Sequence, residues 1–128
     1  YVSLRDENRV AVIDTATREV VSRVDVGANP IQMAATPDGA FVYVANQGSE
    51  AAPDDSVSVI DTASGKVAKT ITTGPGAHGV SVSADGAFVF VTNIAADSVS
   101  IIDTRAQEVV GTVPVGDRPN GVVYGRAD

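Results

Sequence analysis

Tyr43-Val44-Ala45-Asn46, Val57-Ser58-Val59-Ile60-Asp61-Thr62, Thr72-Thr73-Gly74 and Ser83-Ala84-Asp85-Gly86-Ala87-Phe88 follow one another in the middle of the chain, and their order decides the fold because it recurs. Upstream the same order runs Tyr1-Val2-Ser3-Leu4, Val10-Ala11-Val12-Ile13-Asp14-Thr15, Val24-Asp25-Val26-Gly27 and Thr36-Pro37-Asp38-Gly39-Ala40-Phe41. Downstream it runs Phe90-Val91-Thr92-Asn93, Val99-Ser100-Ile101-Ile102-Asp103-Thr104 and Pro114-Val115-Gly116, and then stops early. Tyr1 to Tyr43 is 42 residues and Tyr43 to Phe90 is 47, the excess being a five-residue insertion within 47–55. A fixed period of this size is the mark of a repeat architecture, in which one unit buries its apolar surface against the next.

Each repeat divides into four short β-branched runs separated by turn chemistry. Inner runs are 31–35, 79–83 and 121–124; second runs are 1–4, 41–46 and 88–93; third runs are 10–14, 57–61 and 99–103; outer runs are 20–26, 67–73 and 109–115. Asp38-Gly39 and Asp85-Gly86 separate inner from second runs, where glycine supplies the positive φ of a hairpin turn. Asp14, Asp61 and Asp103 close the third runs, each followed by Thr, where a short carboxylate accepts backbone N–H groups two residues on. A metal site built from these three is the functional alternative, but the period puts them in three different units. Four strands per unit at a period near 40 predicts an all-β fold: a β-propeller of four-stranded antiparallel blades, as a single array over 1–128 with repeats of about 1–42, 43–89 and 90–128.

Composition agrees with that reading and excludes several functions. Of 128 residues, 44% are apolar and 20% charged, which is a folding chain, and aromatics are only 5%, so the core is one of Val, Ala and Ile. Nine Lys and Arg against sixteen Asp and Glu leave a net charge of −7 with no basic cluster, which argues against nucleic acid as a partner. No cysteine is present, which excludes disulfides, thiolate metal sites and a Cys nucleophile while leaving the compartment open. No apolar run approaches the ~20 residues of a membrane span.

The Tyr-Val-Ala-Asn and Phe-Val-Thr-Asn stretches, the Val-Ser-Val-Ile-Asp-Thr stretches and the Asp-Gly turns closely resemble the YVTN family of β-propeller repeats (YncE-like and surface-layer-type propellers, related to haem d1-type propellers). The resemblance covers essentially the whole chain. It implies a prokaryotic protein outside the cytoplasm (periplasmic, secreted or on the cell surface) without fixing a function, because similar propellers serve as binding proteins, surface-layer proteins and parts of redox enzymes. The runs are phased so that the first unit lacks an inner strand and the last inner strand lacks a unit. Three blades are too few for a ring, which takes typically 4–8. Two completions are open: the remaining blades of a longer single-chain ring, or a second copy of this chain in a six-bladed homodimer. The start in mid-repeat without Met favours the longer chain.

Strand directions sort the connections onto two faces. The inner-to-second and third-to-outer turns are short and repeated. The opposite face carries loops that differ between repeats: 5–8, 47–55, 94–97, 28–30, 75–78 and 117–120. Variable loops on a rigid scaffold are where ligands are read, so the candidate binding residues are His78, Arg118, Asn120, Asn29 and Arg5 at the channel mouth. His78, the single histidine, could be a metal or haem ligand or a general base; equally, a His-Gly pair in this repeat serves to hydrogen-bond the loop. Asp54 and Asp55, with Glu50 nearby, are the other candidate metal ligands, against a reading as a solvated acidic loop. There is no Gly-x-Ser-x-Gly elbow, phosphate-binding glycine loop or His-Glu-x-x-His, and one histidine leaves little for acid–base work. The expectation is a non-catalytic binding or scaffold module with no cofactor. The alternatives are the propeller portion of a periplasmic redox enzyme holding a haem or divalent metal over the channel, and a purely structural surface repeat.

Overall fold

The structure, a computed structural model, describes residues 1–125; the last three positions of the third repeat, 126–128, lie outside the described residues. Three antiparallel sheets follow one another along the chain. The first holds β1 (Val2–Leu4), β2 (Arg9–Asp14) and β3 (Glu19–Asp25), with a short 3-10 turn at Arg5–Glu7 between β1 and β2. The second holds β4 (Pro30–Ala35), β5 (Phe41–Gly48), β6 (Pro53–Asp61) and β7 (Lys66–Thr72). The third holds β8 (Ala77–Val82), β9 (Phe88–Asn93), β10 (Ser98–Asp103) and β11 (Glu108–Pro114). Each strand pairs with its neighbour in sequence, so each sheet is a meander, and the chain is a partial β-propeller.

The packing explains why the strands read as near-continuous apolar runs. Successive side chains point to opposite faces of a strand, and the middle sheet is covered on both. Val42, Val44 and Ile60 pack with Val10 and Val24 of the first sheet. Tyr43, Ala45, Val57, Val59 and Ile71 pack with Val80, Val89, Val91 and Ile102 of the third.

In the second and third repeats the opening motif closes on its asparagine. Asn93 is fully buried, donates from Nδ2 to Ser98 Oγ at 3.1 Å and Ser100 Oγ at 2.9 Å, and accepts Gly74 N–H at Oδ1 at 3.1 Å. Asn46 makes the equivalent bonds to Ser56 Oγ and Ser58 Oγ, both at 3.0 Å. A Cβ on Gly74 would lie 2.8 Å from the Asn93 carboxamide, so the β7–β8 loop that passes over this plug has to carry glycine.

The turns are as expected. Gly39 and Gly86 have φ of 72° and 73°. Asp38 and Asp85 each accept a hydroxyl (Thr36 or Ser83) and a backbone N–H (Ala40 or Ala87). Asp14, Asp61 and Asp103 accept N–H groups of the following turn, from Ala16, Ser64 and Arg105 among others.

Two expectations are corrected. The insertion at 47–55 is mainly a longer hairpin: β5 runs on to Gly48, β6 starts at Pro53, and only 49–52 form the turn. The inner run at 121–124 is not a strand, because no second strand lies beside it to pair with; eleven strands form among the described residues, not twelve. It nonetheless lies where a next inner strand would. Thr92 Oγ1 donates to Asn120 O at 3.4 Å, as Ser3 Oγ donates to Ile31 O at 2.9 Å two sheets earlier. Tyr124 N–H donates to Ser81 Oγ at 2.9 Å, and its ring stacks on Phe90 at 6.0 Å.

Candidate functional site

The two faces differ as the loop variation suggests. On the face of the repeated turns a shallow groove of about 460 Å³ runs between the Asp38 and Asp85 turns, edged by Phe41, Thr104 and Arg105. Its carboxylates are consumed by the turns. Asp38 is held below its ordinary pKa by the Thr36 hydroxyl and the Ala40 N–H, and Asp85 accepts the Ser83 hydroxyl and the Ala87 N–H.

The variable face carries a cleft of about 130 Å³ where four connections meet. The β5–β6 hairpin supplies Gln47, Ser49, Glu50 and Pro53; the β7–β8 loop supplies Gly76; the β9–β10 loop supplies Ile94 and Ala95; and Arg118 comes from the loop after β11. The floor is tightly braced. Gly76 O accepts Ile94 N–H at 2.8 Å, Pro75 O accepts Ala95 N–H at 3.1 Å, and Gly76 N–H donates to Asp54 O at 2.8 Å. At Gly76 φ is 74°, and a Cβ would stand 2.7 Å from Ile94 Cγ2, so the two loops approach this closely only because residue 76 is glycine.

Arg118 occupies the position equivalent to Gly76 and Asn29, with φ of 50°, and its N–H donates to Asp97 Oδ1 at 2.9 Å. Asn29 has φ of 49° and donates its N–H to Asn8 Oδ1 at 2.9 Å. One loop design therefore recurs: an acceptor at the end of the second-to-third loop fixes a left-handed residue in the next outer-to-inner loop.

The candidate residues do not form one cluster. Arg118 lines the cleft. Asn29 lies beside Arg5, but its Nδ2 donates to Arg5 O at 3.3 Å, which braces the loop, and the Arg5 guanidinium lies 3.7 Å from Asp6. Asn120 is exposed, with its carbonyl facing the Thr92 hydroxyl. His78 sits on innermost strand β8 at a break in the pairing between Ala77 and Val80; it is half-buried, and its Nδ1 is buried without a hydrogen-bond partner.

Asp54 serves the loop itself: Oδ1 accepts Ser56 N–H at 2.9 Å and Oδ2 accepts Ala28 N–H at 2.9 Å. The Asp55 carbonyl accepts both the N–H and the hydroxyl of Thr73. Among the described residues no three His, Cys, Asp or Glu side chains stand together as a metal set, so His78, Asp54 and Asp55 are not brought into one. The structure adds Gln47, Ser49, Gly76, Ile94 and Ala95 to the candidate site. Nothing in the sequence joins them, since their convergence depends on how adjacent sheets stack. Among the described residues no helix is long and apolar enough to cross a membrane.

Known proteins show the same architecture. No curated protein sequence matches the chain closely enough to count as a relative. Among solved structures, hydrazine synthase of Kuenenia stuttgartiensis superposes on 93% of the chain with a TM-score of 0.85 and 33% identity. Dihydro-heme d1 dehydrogenase NirN in complex with DHE superposes on 88% with a TM-score of 0.74 and 24% identity. Apo AztD from Citrobacter koseri superposes on 94% with a TM-score of 0.71 and 13% identity. At those identities the last two show the shared fold alone. The chain spans 33%, 23% and 34% of these three proteins' chains, about a third or less. The family model described as YNCE-like β-propeller matches residues 1–127. With its two plugs, Tyr-Val-Ala-Asn and Phe-Val-Thr-Asn, its stacked meander sheets and that match, the chain belongs to the YNCE-like β-propeller family.

Proposed function

We propose that this chain is the ligand-reading part of a non-catalytic β-propeller that works outside the cytoplasm, with its contacts on the variable-loop face. The observation that carries the reading is the cleft at Gly76, Ile94, Ala95 and Arg118, whose floor is held by backbone hydrogen bonds between loops of neighbouring blades. A pre-formed concavity with an apolar floor and few polar groups is the usual form of a small-molecule site. The extracytoplasmic setting rests on the family resemblance. The remaining blades of the ring are the expected partner of the two end sheets.

The test is a thermal-shift screen of the purified protein against small molecules and short peptides, run beside Ala95→Leu, which fills the cleft from an exposed position. Compounds that raise the Tm of the parent protein but not of Ala95→Leu support the reading. A screen in which every stabilising compound acts equally on both proteins removes it.

A second reading, the propeller portion of a redox enzyme, is favoured by the buried, partnerless Nδ1 of His78. The residues present fit a haem or metal poorly, since they offer one imidazole and no set of further donors beside it among the described residues. A visible absorption band in the purified protein that disappears in His78→Ala would decide for this reading, and a colourless preparation after haem reconstitution would decide against it.

A further inference from the structure

Arg118 and Glu50 both line the 130 Å³ cleft at exposed positions, and no ion pair joins them, so both charges are open to a ligand. Arg118 has left-handed backbone and its N–H donates to Asp97 Oδ1, and Glu50 sits in the turn of the β5–β6 hairpin. Left-handed backbone costs most residues that carry a Cβ, and the equivalent positions use Asn29 and Gly76, which tolerate it. Arg18 and Gln107 adopt it as well, in exposed turns outside this cleft. What sets Arg118 apart is that it lines the same cleft as an acidic residue, Glu50.

We propose that the cleft binds a small zwitterion of the α-amino-acid type, its carboxylate on Arg118, its ammonium on Glu50, and a short apolar side chain on Ile94, Ala95 and Pro53. This deepens the binding-module reading and rests on it. Two physical points select the class. The chain carries −7 overall and Glu50 lies in the cleft, so a simple anion would meet repulsion that a zwitterion converts into attraction. A cleft of about 130 Å³ has room for a ligand as small as alanine. Gln47 and Ser49 supply further hydrogen-bonding groups at the rim.

Isothermal titration of the whole chain with L-alanine tests this, with acetate and methylammonium as half-ligands. The expected result is saturable 1:1 binding of alanine, weakened at least about tenfold by Arg118→Gln and by Glu50→Gln, each removing one charged hydrogen bond. Both half-ligands should bind more weakly than alanine. Circular dichroism and urea midpoints equal to those of the parent confirm that these two surface variants fold. Acetate binding as tightly as alanine, indifference to Glu50→Gln, or no alanine binding overturns the proposal. If the thermal-shift screen still yields compounds blocked by Ala95→Leu, only the ligand class falls; if it yields none, the binding-module reading falls with it.

Discussion

Replacing Asn93 by Ala removes a side chain that is wholly buried and makes three hydrogen bonds: to Ser98 Oγ at 3.1 Å, to Ser100 Oγ at 2.9 Å and from Gly74 N–H at 3.1 Å. The serine hydroxyls can rotate toward other acceptors, but the Gly74 N–H is fixed by the backbone. Leaving it unpaired costs about 1–3 kcal/mol, and the other bonds contribute about 1 kcal/mol each. With partial relaxation the expected loss is about 3–4 kcal/mol, a large share of the stability of a domain this size. Asn46→Ala is the internal control. Its plug makes the same two serine bonds, but its Oδ1 has no partner, and the Gly27 N–H goes to Ser58 Oγ at 3.3 Å. Truncation there deletes a buried orphan along with two bonds and should cost about 1 kcal/mol less. Urea unfolding followed by circular dichroism reads the difference as a midpoint gap of about 0.5 M, with unchanged slope. Equal midpoints, or Asn46→Ala the more damaging, would refute the view that the bond from the Gly74 N–H to the Asn93 carboxamide oxygen is what distinguishes the two plugs.

The phenol of Tyr43 is buried between the second and third sheets with no hydrogen-bond partner, and burial, then Asp103, raises its pKa. Tyr43→Phe should therefore be neutral or stabilising by up to about 1 kcal/mol, and a clear loss in urea unfolding would show a partner for the hydroxyl. Thr92 Oγ1 accepts Gly79 N–H at 2.7 Å while facing Asn120 O, whereas the equivalent residue of the middle repeat is Ala45, opposite Gln32 and His78. Ala45→Ser supplies the missing hydroxyl and should raise stability by about 1 kcal/mol; a lower Tm would mean the hydroxyl reaches neither neighbour. Asp14, Asp38 and Asp61 are held below the ordinary 3.8 by hydrogen bonds that only the folded turns provide. The unfolded chain then binds more protons, so stability is intact above about pH 4 and falls as pH drops through the lowered values. Asp38→Asn should flatten the acid limb of the stability profile measured by urea unfolding, and an unaltered limb would contradict the assignment.

The repeat, its four runs and the turns were legible because they depend on local chemistry. Asp-Gly at 38–39 and 85–86, and the Asp-Thr ends at 14, 61 and 103, act within a few residues of themselves. The apolar runs at 42–45 and 57–60 announced strands covered on both sides. The run at 121–124 carries the same apolar pattern yet stays unpaired, since pairing needs a neighbour and propensity does not supply one. The insertion at 47–55 looked like a loop because its Ser, Gly, Pro and Asp content hides a register that the β5–β6 ladder imposes. Sequence alone determined which segments become strands, where they turn and which face carries the variable loops, all properties of a single repeat. Only the tertiary structure decided that Glu50, Gly76, Ile94 and Arg118, spread across three loops and a hairpin, share one cleft. Their meeting is set by the stacking of one sheet on the next, an interaction between repeats that no pattern within a repeat encodes.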